Sequence, residues 1–399
     1  FFSTPPPQPP ILSGLVGSEM CIRDRITMDA FKSLINYVSN PTILFTAILV
    51  GFPFVFPPTD WFYKVHKRLK IDKLWTSKGL IIMIAVTIAF FVFGLGDENF
   101  KKIVLKPDNV PISGLIILII FFTWLSLSQA YNNDKLIEEG KPVDEHYEAP
   151  NDKVLVWPDL VYVELISLIL FSAFMLIWSI GLPAPLEEPA NPSESPNPAK
   201  APWYFLGLQE MLVYFDPWYA GVVLPTFIII GLMAIPYIDR DPNGSGYYSY
   251  KNRMLSVSIY LFGWLVLWNV LIVIGTFLRG PNWGFFGPFE YWDSHRLEAL
   301  TNVNLSELFY VKWLNTGLPS NILIREAPGL FIIFIIFAVL PPLLAKTLLK
   351  SFYDRLGNAR FTIFVVLMLF GILLPVKMYL RWFFNLKYII SMPEFFFNF

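Results

Sequence analysis

The chain has 399 residues, of which 55% are hydrophobic, 17% are aromatic and only 15% are charged. Soluble domains carry about 25% charged residues, so most of this protein's surface must face something other than water. The formal net charge of −1 argues against a nucleic-acid partner, because phosphate binding needs a concentrated basic surface.

The first 25 residues differ from the rest of the chain. Residues 1–25 lack the charged segment and apolar run of a secretory signal. Residues 20–25, MCIRDR, resemble the in-frame translation of a sequencing-library adapter. We interpret residues 1–25 as non-native and Met28 as the natural start; the alternative is a disordered tail. The single cysteine, Cys21, lies in this segment, so disulfides and thiolate metal sites are not expected.

Eight apolar segments approach the roughly 20 residues that a helix needs to cross a bilayer core about 30 Å thick. Irregular backbone would leave polar groups unpaired in lipid. The sequence therefore predicts an all-α integral membrane protein with about eight transmembrane helices. The segments are residues 42–58, 79–96, 112–131, 158–182, 218–238, 254–278, 329–349 and 361–380.

Lysine and arginine are unevenly distributed among the connecting loops. The loop at residues 59–78 carries six of them, and the loops near residues 240–253 and 346–360 are also basic. By the positive-inside rule we expect these loops to lie on the cytoplasmic side of a cell inner membrane. Residues 183–217, residues 279–328 and the C-terminus are then on the outer side.

The hydrophilic stretch at residues 132–156 is the predicted cytoplasmic linker between two membrane regions. It separates a three-helix region, residues 26–131, from a longer domain at residues 157–350, which contains the outer loop at residues 279–328. An additional helix and an outer tail follow at residues 351–399. Inverted-repeat transporters show matched broken helices in their two halves, and none is recognisable here.

The three histidines, His66, His146 and His295, all lie in polar segments outside the apolar runs. A membrane-embedded haem pair needs paired histidines inside helices, so we expect this chain to ligate no b-type haem and no metal.

A proline-rich stretch follows the fourth predicted helix. Seven prolines between residues 183 and 202 fix φ and block helix formation, which predicts a stiff, extended segment along the outer membrane surface. The segment ends in Pro202-Trp203-Tyr204-Phe205, which we expect to begin a short amphipathic helix spanning residues 203–215. Aromatic rings at this level suit a flat, apolar, two-ended ligand such as a quinol head group.

Here the sequence resembles the cytochrome b C-terminal domain in its stand-alone, subunit IV-like form. That family has Glu-Pro-Ala-Asn-Pro followed at a fixed distance by Pro-Glu-Trp-Tyr. The chain has the first motif at residues 188–192 and Trp203-Tyr204 at the same ungapped spacing. The resemblance covers about residues 157–278 well and residues 329–349 loosely.

The resemblance implies a role in a cytochrome bc-type quinol–cytochrome c oxidoreductase. Quinol would be oxidised at the outer face, with Pro202, Trp203, Tyr204 and Phe205 as quinone-binding residues. Haem b and an iron–sulfur cluster would be held by partner chains. These partners would be a diheme cytochrome b N-terminal protein, a Rieske iron–sulfur protein and a c-type cytochrome, in a dimeric complex.

One departure from the family pattern concerns the chemistry directly. Proline stands at position 202, where the family has the glutamate that accepts a quinol proton. A buried carboxylate suits this task because desolvation raises its pKa. Glu210 and Asp216 are the catalytic candidates, and Glu394 is a third possibility. The alternatives are that Glu210 faces water, that Asp216 caps the fifth helix, and that Glu394 is a surface residue.

Two other functions stay open. The chain could be an assembly subunit that kept the proline-rich segment and lost quinol chemistry together with the glutamate. A transporter or channel predicts paired charges or glycine-broken helices at mid-membrane, and the apolar runs are almost free of both.

Overall fold

The computed structural model describes residues 28–143, 155–182, 184, 189, 192–193, 196–239, 249–293 and 301–399. The interpretation of residues 1–25, including Cys21, lies outside these residues. The same is true of His146, of His295 and of three residues of the Glu-Pro-Ala-Asn-Pro motif: Glu188, Ala190 and Asn191.

The described residues form an all-helical, multi-pass membrane fold. Seven helices are long and apolar enough to cross a membrane. They are α4 (Ser77–Gly94), α6 (Val110–Glu138), α7 (Val156–Gly181), α9 (Tyr219–Ile238), α10 (Lys251–Leu278), α13 (Ala327–Lys346) and α15 (Asn358–Phe384).

The number of spans is eight if α1 (Met28–Val38) and α2 (Pro41–Val55) count as one broken span; these two helices are bent by 70° and pass the same test only together. The prediction of about eight apolar helices is confirmed. The bend coincides with Pro41 at the start of α2, where the side chain of Asn40 accepts a hydrogen bond from the Thr42 amide. A cap and a proline here begin a new helix instead of continuing the old one.

Shorter elements connect the spans. The shorter α-helices are α3 (Asp60–Arg68), α5 (Glu98–Val104), α8 (Leu206–Met211), α12 (Ile322–Arg325) and α14 (Lys350–Leu356); α11 (Glu307–Trp313) is π-helical. Single 3₁₀ turns lie at Ile71–Trp75, Trp203–Phe205, Pro281–Trp283 and Pro393–Phe395. Two short strands, β1 (Ser391–Met392) and β2 (Phe397–Asn398), pair antiparallel in the C-terminal tail.

Because each span crosses once, the loops sort to two ends of the bundle. One end, which we call the basic-loop end, joins α3, the end of α6 and the start of α10. There Ser249 donates a 2.5 Å hydrogen bond to Asp134, and Tyr131 and His66 are hydrogen-bonded at 3.0 Å. These contacts bring α3, the end of α6 and the start of α10 together at one end; which end faces the cytoplasm stays a prediction.

The opposite end, which we call the proline-loop end, brings together residues 196–217, 279–293 and 385–399. Lys387 Nζ donates to the Leu212 carbonyl oxygen at 2.9 Å, and the Val303 amide donates to the Asn385 carbonyl oxygen at 3.1 Å. The largest hydrophobic cluster lies beneath these loops, with Tyr214, Phe215 and Tyr219 among its buried members. A packed core thus holds the proline-loop end in place.

Two features differ from expectation in their bounds. The short helix expected over residues 203–215 is a 3₁₀ turn followed by six α-helical residues, and the chain then turns at residues 212–215. Pro217 disfavours helical geometry at Asp216, so the short helix cannot run on into α9. Helix α6 continues to Glu138, which makes the first residues of the expected linker helical. The division of the chain into domains otherwise stays a prediction.

Helix α7 stands apart from the others, since no residue along it is buried in the described structure. Beyond Asp159 and Glu164 near its start, the helix has no charged side chain, which is the pattern expected of a helix surrounded by lipid.

Candidate functional site

The segment before α8 is fixed against the proline-loop end by side-chain hydrogen bonds. The side chain of Gln209 accepts from the Ala201 amide at 2.7 Å and donates to the Ala199 carbonyl oxygen at 2.8 Å. Gly207 brings α8 close to α10, since a Cβ there would lie 3.3 Å from Ile272 Cγ1. Residues 199–203 are thereby held in one conformation on top of the bundle.

Beneath this segment lies a cavity of about 920 Å³. Its walls come from four stretches of chain: the loop between α4 and α6, the end of α7, residues 196–203, and residues 290–292. All four belong to the proline-loop end. The wall supplied by α7 includes Trp178, and the wall after α10 includes Trp292, so indole rings face the space from two sides.

The four aromatic-motif residues expected to bind quinone are divided by the structure. Pro202 and Trp203 line the cavity. Tyr204 and Phe205 are each 51% exposed and are absent from its lining. The Trp203 and Tyr204 rings meet edge to face, with centroids 5.7 Å apart, so one ring faces the cavity while its neighbour faces away.

Lys200 also lines the cavity. Its Nζ donates to the Thr276 carbonyl oxygen at 2.7 Å and lies 4.7 Å from the centroid of the Trp292 ring. Burial, together with the positive charge of Lys106, lowers the pKa of the Lys200 ammonium from 10.5 to about 7. The indole Nε1 of Trp292 is buried and has no hydrogen-bond partner among the described residues.

Glu210 lies behind this wall in a buried ion pair. It is 0% exposed and Arg279 is 4% exposed. Arg279 donates to both carboxylate oxygens, through Nη2 at 2.6 Å and Nε at 2.9 Å, and the Tyr214 hydroxyl donates at 2.9 Å. Arg279 also donates to the Trp283 carbonyl oxygen at 2.6 Å. Glu210 does not face water, and it is not part of the cavity lining; its role as a proton acceptor stays a prediction.

Asp216 and Glu394 are both absent from the cavity lining: Asp216 contacts the C-terminal tail, and Glu394 is part of that tail. Asp216 accepts hydrogen bonds from the Tyr388 hydroxyl at 3.3 Å and from Asn398 Nδ2 at 3.1 Å. Glu394 forms a two-point ion pair with Arg325, in which both contacts are 3.0 Å. Catalytic roles for these carboxylates stay predictions.

Lys200 is marked in the sequence as the only charged residue between residues 195 and 209. Arg279 follows directly on the last apolar residue of α10, where a charge is costly without a partner. The sequence position of Lys200 does not show which cavity it lines, and that of Arg279 does not show which carboxylate it pairs with. Among the residues that the structure describes, no group of three or more His, Cys, Asp or Glu side chains could hold a metal ion.

Comparison with known proteins points to one family. Residues 189–287 match the model of the family described as cytochrome b(C-terminal)/b6/petD. No solved structure matches the chain.

Two known proteins are similar to part of the chain. The chain is 27% identical over 103 residues to a menaquinol:cytochrome c reductase cytochrome c subunit of Geobacillus thermodenitrificans, a match covering 25% of this chain and 41% of that protein. It is 26% identical over 135 residues to cytochrome b of Oryza sativa subsp. indica, covering 32% of this chain and 34% of the relative. The chain thus spans less than half the length of these relatives. The matches thus identify residues 189–287 of this membrane protein as a cytochrome b C-terminal/b6/petD family domain.

Proposed function

We propose that the chain is a membrane subunit of a bc-type quinol–cytochrome c oxidoreductase and that its 920 Å³ cavity receives the quinol head group. The observation that carries the proposal is the position of Pro202 and Trp203. These residues belong to the family-matching segment, and they form a wall of a cavity at the proline-loop end. That end is the outer face by the predicted orientation.

The cavity suits this substrate in size and lining. Small-molecule sites have volumes of about 300–1,000 Å³ and combine aromatic walls with a few polar groups. Trp178, Trp203 and Trp292 supply flat apolar surface. Lys200 supplies a polar atom that a hydroxyl or carbonyl oxygen of the ring can meet.

Oxidation of a quinol removes two electrons and two protons. We infer that this chain positions the ring and accepts protons, while haem b and an iron–sulfur cluster in partner chains accept the electrons. The partners proposed are a diheme cytochrome b N-terminal protein, a Rieske iron–sulfur protein and a c-type cytochrome in a dimeric complex of the inner membrane. A proton on Glu210 would weaken its ion pair with Arg279. Wild-type turnover in a Glu210→Gln complex would exclude Glu210 as the proton acceptor.

The test uses the complex purified from its native membranes. In a Trp203→Ala variant we expect KM for menadiol, a simple naphthoquinol, to rise about tenfold, equivalent to about 1.4 kcal/mol of lost ring contact. The haem spectrum of the co-purified complex should stay unchanged. Trp313→Ala is the matched control, since Trp313 is 65% exposed and is absent from the cavity lining.

The second candidate function is an assembly subunit without quinol chemistry. It is favoured by the proline at position 202 and by the engagement of Glu210 with Arg279. Menadiol oxidation that is unaffected by Trp203→Ala, in a complex with normal haem content, would support this second function and contradict the first.

A further inference from the structure

We propose that the side-chain amine of Lys200 accepts a proton from the quinol bound in the cavity. This inference rests on the proposed function. It gives Lys200 the role of proton acceptor, because the aromatic motif of this chain has Pro202 in place of a carboxylate.

The position of Lys200 is the first argument. It precedes Pro202 by two residues and shares the cavity wall with Pro202 and Trp203. Its Nζ is held by the 2.7 Å hydrogen bond to the Thr276 carbonyl oxygen and lies over the Trp292 ring. The nitrogen is therefore fixed at the wall rather than free on a flexible stem, as a proton acceptor needs to be.

The charges around Lys200 are the second argument. Lys106 and Arg279 disfavour an additional positive charge on Lys200, and Glu210 favours it. Burial has the largest effect, and the resulting pKa of about 7 leaves a large neutral fraction at neutral pH. A neutral amine that donates one N–H to Thr276 retains a lone pair for a quinol proton.

The other charged groups of the cavity lining are engaged elsewhere or exposed. Asp108 lies 3.5 Å from Lys106 in an ion pair, and the Glu290 carboxylate accepts a hydrogen bond from the Gly287 amide at 3.0 Å. Lys102 is exposed to solvent, so its ammonium keeps its hydration and is poorly suited to act as a base. Lys200 is the lining residue that combines burial, fixed geometry and a basic nitrogen.

The step balances as a proton transfer. The quinol O–H bond breaks and an N–H bond forms at Lys200 Nζ, giving an ammonium group and a quinolate anion. The new positive charge stabilises the quinolate, which then gives one electron to the one-electron oxidant, an iron–sulfur cluster held by a partner chain. The ammonium afterwards releases its proton to water at the proline-loop end, which restores the amine.

The experiment measures menadiol oxidation by the purified complex between about pH 5.5 and 9. We expect kcat/KM of the wild type to rise with pH and to level off above about pH 7, because only the neutral amine accepts the proton. In Lys200→Arg the side chain stays charged throughout this range. We expect kcat to fall by about 100-fold, within the range for loss of a general base, while binding of menadione is retained. Lys312→Arg is the matched control, since Lys312 is exposed and is absent from the cavity lining, and it should keep the wild-type pH profile.

Three results would overturn the assignment. One is a flat pH profile in the wild type, which needs no variant to fold. Another is a Lys200→Arg complex with an unchanged profile. The third is a Lys200→Arg complex that loses menadione binding and turnover equally while the midpoint of its pH profile is unchanged, which indicates a structural role. If Trp203→Ala impairs menadiol oxidation in those cases, the proposed function survives and only the role of Lys200 fails; if Trp203→Ala also has no effect, both fail.

Discussion

The buried ion pair between Glu210 and Arg279 provides the sharpest test of how the proline-loop end is held together. Glu210 is completely buried and accepts three close hydrogen bonds, two from Arg279 and one from Tyr214. Glu210→Gln removes the negative charge and leaves a guanidinium that is 4% exposed without a counter-charge. Breaking a buried pair from one side costs about 3–5 kcal/mol, or two to four powers of ten in the unfolding equilibrium constant.

The assay is reversible unfolding in mixed micelles by titration with a denaturing detergent, followed by tryptophan fluorescence. Glu394→Gln is the matched control, because it removes a carboxylate from an exposed ion pair with Arg325, and exposed pairs contribute little. The double variant Glu210→Gln/Arg279→Met should recover much of the loss, since it removes both charges at similar volume. A free energy of unfolding for Glu210→Gln within ~1 kcal/mol of the wild type would refute the reasoning.

Three further changes have expected outcomes that thermal unfolding can check. Gly329→Ala places a Cβ 2.1 Å from the Ile389 carbonyl oxygen and should destabilise the protein by ~1–3 kcal/mol, whereas Gly51→Ala has open space and should not. Lys387→Met leaves the Leu212 carbonyl without its side-chain donor and should cost ~1 kcal/mol. Burial lowers the pKa of His66 below 6.5, so only the unfolded chain gains a proton as pH falls through that value. Stability should therefore drop between pH 7 and 5, and less in His66→Gln.

The membrane architecture was predictable because the bilayer imposes a length and a polarity on every span. The eight apolar segments correspond to the apolar helices observed. Helix α1 was not foreseen. Residues 28–38 are too short and too mixed in polarity to stand out, and they qualify as part of a span only beside α2.

The site was less predictable because its key contacts join residues far apart in sequence. Glu210 and Arg279 are 69 positions apart, and Lys200 meets Thr276 across 76. Glu210 can be recognised in the sequence as a carboxylate near the aromatic motif, but its ion pair with Arg279 cannot. The aromatic motif forms a 3₁₀ turn, in which successive side chains point in different directions. Trp203 lines the cavity, whereas Tyr204 and Phe205 are half exposed.

Helix α7 supplies one wall of the cavity through Trp178, yet none of its residues is buried against the rest of the described chain. The sideways placement of such a helix is set by the lipids and proteins around it, since packing inside the chain does not fix it. The width of the cavity is therefore set in the assembled membrane. If the cavity receives quinol as proposed, delipidation should weaken quinone affinity well before it unfolds the helix bundle, and re-addition of lipid should restore it.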